Sequence, residues 1–351
     1  MTISRRDFLK LSGSTLLGLL FSGSRFAEGA AAVPDPAEAS VSLEFPTQGR
    51  VLYSRLKVHV TPEFAGEQTG SLLFDNLVDI AERLRGGAYE DANHTWYHLA
   101  AGGYVHSGGI QLVETATNPT LLELPQPGMV GEVTVPYADT MWAINRSPTP
   151  GPRLYYQTTH WVDGVVIDER DGSPWYRCYD NLWDSHYHTR PAWVRLLSAE
   201  ELAPIHPEIP AEEKHIEVVL DEQMLYAWEG ATLVYLARTS TGQDGYETPP
   251  GWYRTFHKRP TYHMTGGYDA STSFDLPGVP WDTYISESGI AIHGTFWHND
   301  FGTRHSHGCI NLTPTAARWM YRWTNPSVPP GEKVIVEPGT GTQVWVRESR
   351  L

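Results

Sequence analysis

"HGTFWHNDFGTRHSHGCINL", His293 to Leu312, gathers four of the chain's fifteen histidines and one of its two cysteines. A short apolar run, "SGIAI" (Ser288–Ile292), precedes it, and "TPTAARWMYRW" (Thr313–Trp323) follows. The first reads as a strand that carries His293 at its end. The second reads as a helix: Thr313 caps it, Pro314 fits its first turn, and Ala316, Trp319, Met320 and Trp323 make one apolar face. Cys309, with Gly308 before it, therefore stands between a strand-like segment and a helix.

Three chemistries compete for Cys309. A zinc site would use Cys and His nitrogen, but the stretch has no second Cys, no His pair at helical spacing, and no carboxylate beyond Asp300. A purely structural loop would leave each His satisfying a local hydrogen bond. Nucleophilic attack accounts for more of the residues. A thiolate needs a base in the range of His, and glycine beside it lets a substrate approach the backbone, whose Gly308 and Cys309 N–H groups are natural oxyanion donors. His307 shares a face with Cys309 if the chain is extended there, and His293 approaches from a separate strand, so spacing leaves both open as the base. The surrounding histidines are expected to lower the thiol pKa. His298 and His305, in a polar gap loop, read as surface residues.

Composition narrows the setting. The chain has 351 residues, with 13 Trp, 18 Tyr, 26 Pro and 32 Gly, which favours many short strands joined by turns over a helical bundle. A net charge of −15 argues against a nucleic-acid partner. At the N-terminus, Arg5 and Arg6 precede an apolar run from Leu11 to Phe21, followed by small residues at Gly29 to Ala32. That order reads as a signal segment, and "SRRDFLK" resembles a twin-arginine export signal. Export to the cell envelope or periplasm is the expectation, with membrane anchoring if the segment is not cleaved. Two cysteines are too few for a disulfide scaffold. Cys178, in the apolar run "SPWYRCYD", reads as a buried thiol unlike Cys309 and unpaired with it.

Residues 1–39 are read as signal and linker. Short strands follow over 40–120 and again over 121–200. The second set repeats the first: Trp96-Tyr97 matches Trp175-Tyr176, and Tyr104-Val105-His106 matches Trp193-Val194-Arg195. Both sets resemble bacterial SH3-type modules, which implies two tandem small β-barrels and contact with cell-wall polymer. His186 and His188 in "HYH" read as rim histidines, not metal ligands. A Pro- and Glu-rich hinge covers 201–213. Strand signals then resume in "HIEVVLDEQMLYAWEGATLVYLARTSTG", and a tail covers 338–351.

"IHGT" (Ile292–Thr295) with "SHGCINL" (Ser306–Leu312) resembles the signature of the YkuD-type L,D-transpeptidases, and so does the upstream frame with "TSTG" (Thr239–Gly242) and "TPPGWYRT". The resemblance covers 214–337. It implies a mainly β protein: two SH3-like barrels followed by a sandwich-like catalytic domain with a short helix after the nucleophile. It implies acylation of Cys309 by a peptidoglycan tetrapeptide stem, release of D-Ala, and transfer to an amine of a second stem as a 3→3 cross-link. His293 becomes the general base and acid. Gly294, Ser306, His307 and Gly308 shape the oxyanion and substrate side, Asn311 orients loop or substrate, and Tyr284, with Tyr262, is a candidate substrate wall. No metal or cofactor is implied, and carbapenems become candidate inhibitors. Asp282 departs from the family's usual uncharged residues and puts donor preference in question. The rivals are a Cys carboxypeptidase, in which water takes the acyl group, and a non-catalytic wall-binding protein.

Overall fold

The computed structural model describes residues 47–88, 92–145, 147–267 and 273–349, which belong to one compact unit. The signal and linker expected over 1–39 lie outside them. Among the described residues no helix is long and apolar enough to cross a membrane.

The first sheet contains β1 (Gln48–Val51), β2 (Arg55–His59), β3 (Gln68–Leu73), β4 (Leu77–Arg85), β5 (Thr95–Leu99), β6 (Tyr104–His106) and β7 (Ile110–Val113), in the order β3-β2-β6-β5-β4-β1-β7. The second is built from β8 (Met129–Val133), β10 (Met141–Ala143), β11 (Thr149–Pro150), β13 (Thr159–Ile167), β14 (Pro174–Asp180), β15 (Ser185–Thr189) and β16 (Val194–Leu196), while β9 (Tyr137–Ala138) pairs with β12 (Leu154–Tyr155) beside it. Its order, β11-β10-β15-β14-β13-β8-β16, is the first order over again, element for element. Trp96-Tyr97 and Trp175-Tyr176 fall on the equivalent strands β5 and β14, and all four are buried.

The other half of the sequence match is out of register. Tyr104–His106 is β6, whose counterpart is β15, whereas Trp193–Arg195 enters β16, the counterpart of β7. An aromatic-Val-basic triplet fits either of the last two strands, so the local pattern could not tell them apart. His186 and His188 lie on β15 and not in a rim loop; His186 pairs with Asp163 (2.8 Å) and His188 with the Met141 carbonyl (3.2 Å). Cys178 is fully buried on β14, and both cysteines are free.

Two five-stranded sheets follow. One orders β17 (Lys214–Val219), β18 (Met224–Glu229), β19 (Thr232–Arg238), β20 (Gly251–Arg254) and β26 (Gln343–Arg347) as β19-β18-β17-β26-β20. The other orders β21 (His257–Gly266), β22 (Phe274–Tyr284), β23 (Ala291–Gly294), β24 (Ile310–Leu312) and β25 (Ile335–Val336) as β24-β23-β22-β21-β25. A short helix α1 (Ala199–Leu202), opened by a capping box between Ser198 and Glu201, leads into the expected hinge.

Helix α2 (Pro314–Trp323) packs beneath the second of these sheets. Thr313 Oγ1 accepts from the Ala316 N–H at 3.2 Å, and Ala316, Ala317, Met320, Tyr321 and Trp323 are buried. Trp319 is half-buried and stacks on Tyr235 at 4.2 Å. The helix's last carbonyls have no partner within the helix. Two buried ammonium groups meet that need. Lys258, fully buried, donates to the Tyr321, Thr324 and Pro326 carbonyls, and Lys214 donates to the Trp323 carbonyl. Burial pulls both amines below the ordinary lysine range, while the carbonyls and the helix dipole at this end favour their charged forms.

The apolar core beneath α2 extends into the second sheet. Val130, Trp161 and Leu197 belong to the same buried cluster as Ile216, Ile292, Ile310 and Met320. The first sheet keeps a separate core around Val51, Ile80, Tyr97 and Ile110. Replacing Lys258 with Met keeps its volume but leaves three buried carbonyls without a donor, so stability should fall by roughly 2–4 kcal/mol. Urea unfolding measures this, and an unchanged midpoint would show that the ammonium is not needed there.

Candidate active site

Strands β23 and β24 run parallel, with Ile292 opposite Ile310, His293 opposite Asn311 and Gly294 opposite Leu312. This pairing sets the two strands side by side in the same direction, with Cys309 just ahead of β24, and His293 and Cys309 line one cleft. The cleft has a volume of about 290 Å³, and its walls include Met264, Phe274, Trp297, Ser306, His307 and Asn311.

His293 is buried, and its Nδ1 lies 3.0 Å from the Gly294 carbonyl. A carbonyl only accepts, so Nδ1 carries the proton and Nε2 keeps its lone pair. Burial pulls the imidazole down to about 4, leaving it neutral at physiological pH. Gly294 has no room for a side chain: a Cβ there would come within 2.8 Å of Pro280 and 2.9 Å of Pro314.

Cys309 is half-buried. Burial pushes its thiol up to about 11; the Ala291 N–H, which faces the sulfur, works against that rise, and the charge of Asp282 adds to it. The expected lowering is therefore corrected. A histidine lowers a thiol pKa by carrying positive charge, and His293 is too buried to hold one. At rest both groups are neutral, and the thiol donates to the Gly289 carbonyl at 3.7 Å.

The turn that presents Cys309 is closed by Ser306. Its hydroxyl accepts from the Gly308 N–H (3.1 Å) and donates to the Cys309 carbonyl (2.6 Å). Gly308 has φ +111°, a region open to glycine, so the chain is not extended between His307 and Cys309 and the shared-face reading of that pair does not apply. His307 is exposed, its ring against Tyr246 (4.4 Å) and Phe274 (5.5 Å). The Gly308 N–H, expected as an oxyanion donor, is engaged by Ser306.

The "TSTG" stretch supports this turn from behind. Ser240 bridges to Asn311, and the Gly242 N–H reaches Thr248 Oγ1, which donates to the Gly308 carbonyl at 2.8 Å. A Cβ on Gly242 would stand 2.0 Å from the Tyr246 carbonyl oxygen, which accounts for the glycine.

Asn311 Nδ2 donates to His298 Nε2 at 3.0 Å, and the His298 ring stacks on His305 at 4.5 Å. His298 is buried and His305 half-buried, so neither is the surface residue the sequence indicated. The gap loop folds inward on Phe296, His298 and Phe301, all buried. Tyr284 stacks on His257 (4.5 Å) outside the residues lining the cleft, and Tyr262 packs against the Arg259 guanidinium (4.6 Å). Asp282 is fully buried and opposite Arg259, and burial raises its carboxyl well above the usual range. Among the described residues, no three His, Cys, Asp or Glu side chains converge as a metal site.

Residues 213–346, which begin just before β17 and end within β26, match the family model described as the L,D-transpeptidase catalytic domain, YkuD. A putative L,D-transpeptidase of Bacillus subtilis, YciB, is 26% identical over 144 residues, covering 37% of this chain and 69% of that protein. L,D-transpeptidase 2 of Mycobacterium tuberculosis is 42% identical over 45 residues, 12% of this chain and 11% of that protein. Among solved structures, the Ldtfm–avibactam carbamoyl enzyme is 24% identical, with a TM-score of 0.32 over 39% of this chain and 50% of that one. An L,D-transpeptidase from Mycobacterium smegmatis is 19% identical, with a TM-score of 0.32 over 46% of this chain and 73% of that one. By the family-model match, residues 213–346 of this chain carry an L,D-transpeptidase-type catalytic domain.

A thiol held near 11 beside a neutral histidine should alkylate slowly at neutral pH. The iodoacetamide rate at Cys309, followed by intact mass, should climb about tenfold per pH unit from about 7 to 10, because the thiolate fraction does. A plateau reached by about pH 7 would mean a preformed thiolate–imidazolium pair.

Proposed function

We propose that this chain is an exported L,D-transpeptidase that exchanges a peptide bond of a peptidoglycan stem through a Cys309 thioester. The observation that carries the reading is the single cleft shared by Cys309 and a His293 whose Nδ1 is fixed on the Gly294 carbonyl.

Because both groups rest neutral, the thiol loses its proton as the sulfur attacks. His293 Nε2 takes that proton while the Sγ–C bond forms, and the carbonyl oxygen becomes an oxyanion. With the Gly308 N–H held by Ser306, we assign the Cys309 N–H as oxyanion donor. The imidazolium, disfavoured by burial, returns its proton to the departing nitrogen of D-Ala, which leaves a thioester and a neutral His293. The acceptor amine then attacks the thioester, loses its proton to the same Nε2, and displaces the thiol, which regains it. Burial raises the energy of every charged form of this pair and so makes the proton's return rapid.

Asn311 Oδ1 is buried and without a hydrogen-bond partner among the described residues, and it lies in the cleft wall. A buried acceptor left open is costly, and we assign it to an N–H of the bound stem. A carbapenem offers the same attack on its ring carbonyl, with opening of the lactam C–N bond in place of D-Ala release.

We further propose that the Arg5-Arg6 segment directs export to the cell envelope, and that the two repeated units are SH3-like modules that hold the enzyme on wall polymer. Such tethering raises the local concentration of stems. Purified sacculi should retain wild type and Cys309→Ala equally, and a lack of retention would remove the tethering role.

Incubation of wild type with a disaccharide tetrapeptide should release D-Ala and yield a dimer by mass, and a carbapenem should add once to the protein. Both signals should vanish in Cys309→Ala. No adduct and no D-Ala from a protein with a reduced thiol would sink the reading, and D-Ala release without dimer would make it a carboxypeptidase.

A further inference from the structure

Arg50 is an arginine with 1% of its surface exposed, on strand β1 of the first sheet. Burying a guanidinium is expensive unless its donors are met. They are met by three different parts of the molecule. Nε and Nη2 donate to Gln111 Oε1 (3.2 and 2.9 Å), and Nη1 pairs with Asp75 (2.9 Å), both within the first unit. The guanidinium lies 4.1 Å from the ring centroid of Tyr155, in the second unit. Nη2 also donates, at 2.7 Å, to the carbonyl of Phe296. Phe296 lies in the segment between His293 and Cys309, and its ring stacks on Tyr155 at 5.4 Å.

The residues beyond Phe296 continue the contact. The Asn299 N–H donates to the Gly108 carbonyl (3.0 Å) and its side chain to the Ile110 carbonyl (3.0 Å), while Asn93 donates to Asp300 (2.9 Å). Gly108 permits the approach, since a Cβ there would stand 2.9 Å from the Asp300 carboxyl. Trp297 is thereby fixed in the cleft wall, its ring 5.8 Å from that of His293 and tilted 32° to it. His298 is fixed on Asn311, directly opposite His293 across the strand pair.

We infer that Arg50 is a positioning residue for catalysis: from the first N-terminal unit it holds the Phe296–Asp300 loop, and through Trp297 and His298 it fixes the place of His293 beside Cys309. For the reaction this rests on the transpeptidase reading, but the geometry does not. The groups around His293 in this arrangement are the Gly294 carbonyl, the Trp297 ring and the neutral His298, with Cys309 lining the same cleft and Asp282 near enough to act on Cys309. A loosened loop would admit water to the imidazole and relieve the burial that keeps it neutral. The first unit is then part of the active site's frame, whatever else its surface binds.

The test compares wild type with Arg50→Gln and Asn299→Ala. Arg50→Gln leaves Asp75 with a second cation, Arg153 at 3.1 Å. Asn299→Ala removes loop anchors without unburdening a buried charge, and it decides the matter if Arg50→Gln does not fold. Three readouts are taken on folded protein: the pH profile of iodoacetamide alkylation at Cys309, the titration of His293 by NMR, and D-Ala release. In the variants the alkylation midpoint should fall by about one unit or more toward an ordinary thiol, and His293 should titrate nearer the ordinary value of about 6.5. Turnover should drop at least about tenfold in kcat with KM within about threefold, as expected when a positioned group and not substrate affinity is lost. Wild-type alkylation and titration profiles in both variants, with only the melting temperature lowered, would overturn the inference and leave Arg50 a stabilising residue. If wild type itself released no D-Ala, the transpeptidase reading would fail, while the alkylation and NMR comparison would still decide the role of Arg50.

Discussion

The parallel pairing of β23 with β24 is the constraint from which the rest of the site follows. Antiparallel neighbours can be joined by a tight turn, but parallel neighbours need a long return path, usually a helix packed on the sheet. Here the return is the irregular segment 295–309. Its backbone groups must find partners outside regular structure, and its aromatic rings must find walls. Both are supplied from elsewhere: the "TSTG" stretch behind the turn, and the first N-terminal unit in front of the loop. The strand pair brings His293 and Cys309 to one cleft, and the neighbours keep the connection between them in one shape.

The electrostatics follow from the same burial. A histidine enclosed on a strand end is a weak base, and a half-buried thiol a weak acid, so neither is charged at rest. Such a pair is chemically quiet until an electrophile arrives. In the reaction proposed above, activation is left to the moment of attack, when negative charge develops on an oxyanion that the backbone can receive.

Much of this was legible in the sequence because it is local. The cap at Thr313, the apolar face of α2, the strand into His293 and the glycine before Cys309 are each fixed by neighbours a few residues away, where periodicity and side-chain chemistry act directly. Trp-Tyr on β5 and β14 marked the repeat for the same reason. What was not legible depends on distance along the chain. Nothing near His298 or His305 announces that they will be enclosed, because the residues enclosing that loop include Arg50 and Ser107–Ile110. The pKa of Cys309 was misjudged because counting histidines says nothing of whether they can be charged. The register of β6 and β15 was lost because aromatic-Val patterns recur on successive strands of one small sheet.

The twofold strand order carries a consequence of its own. Both units share one topology and each keeps a core of its own, yet the second is also fused to the C-terminal half through apolar packing at Trp161 and Leu197, while the first meets its neighbours through hydrogen bonds and stacked rings. Equal in strand order, the two units differ in how they are joined: one is a foundation and the other a brace. They are not interchangeable. A chimera made by swapping the two, though it would preserve every strand and its order, would set an oily surface against a polar loop and a polar surface against an oily core. What looks in sequence like beads on a string is, in its joints, a single machine.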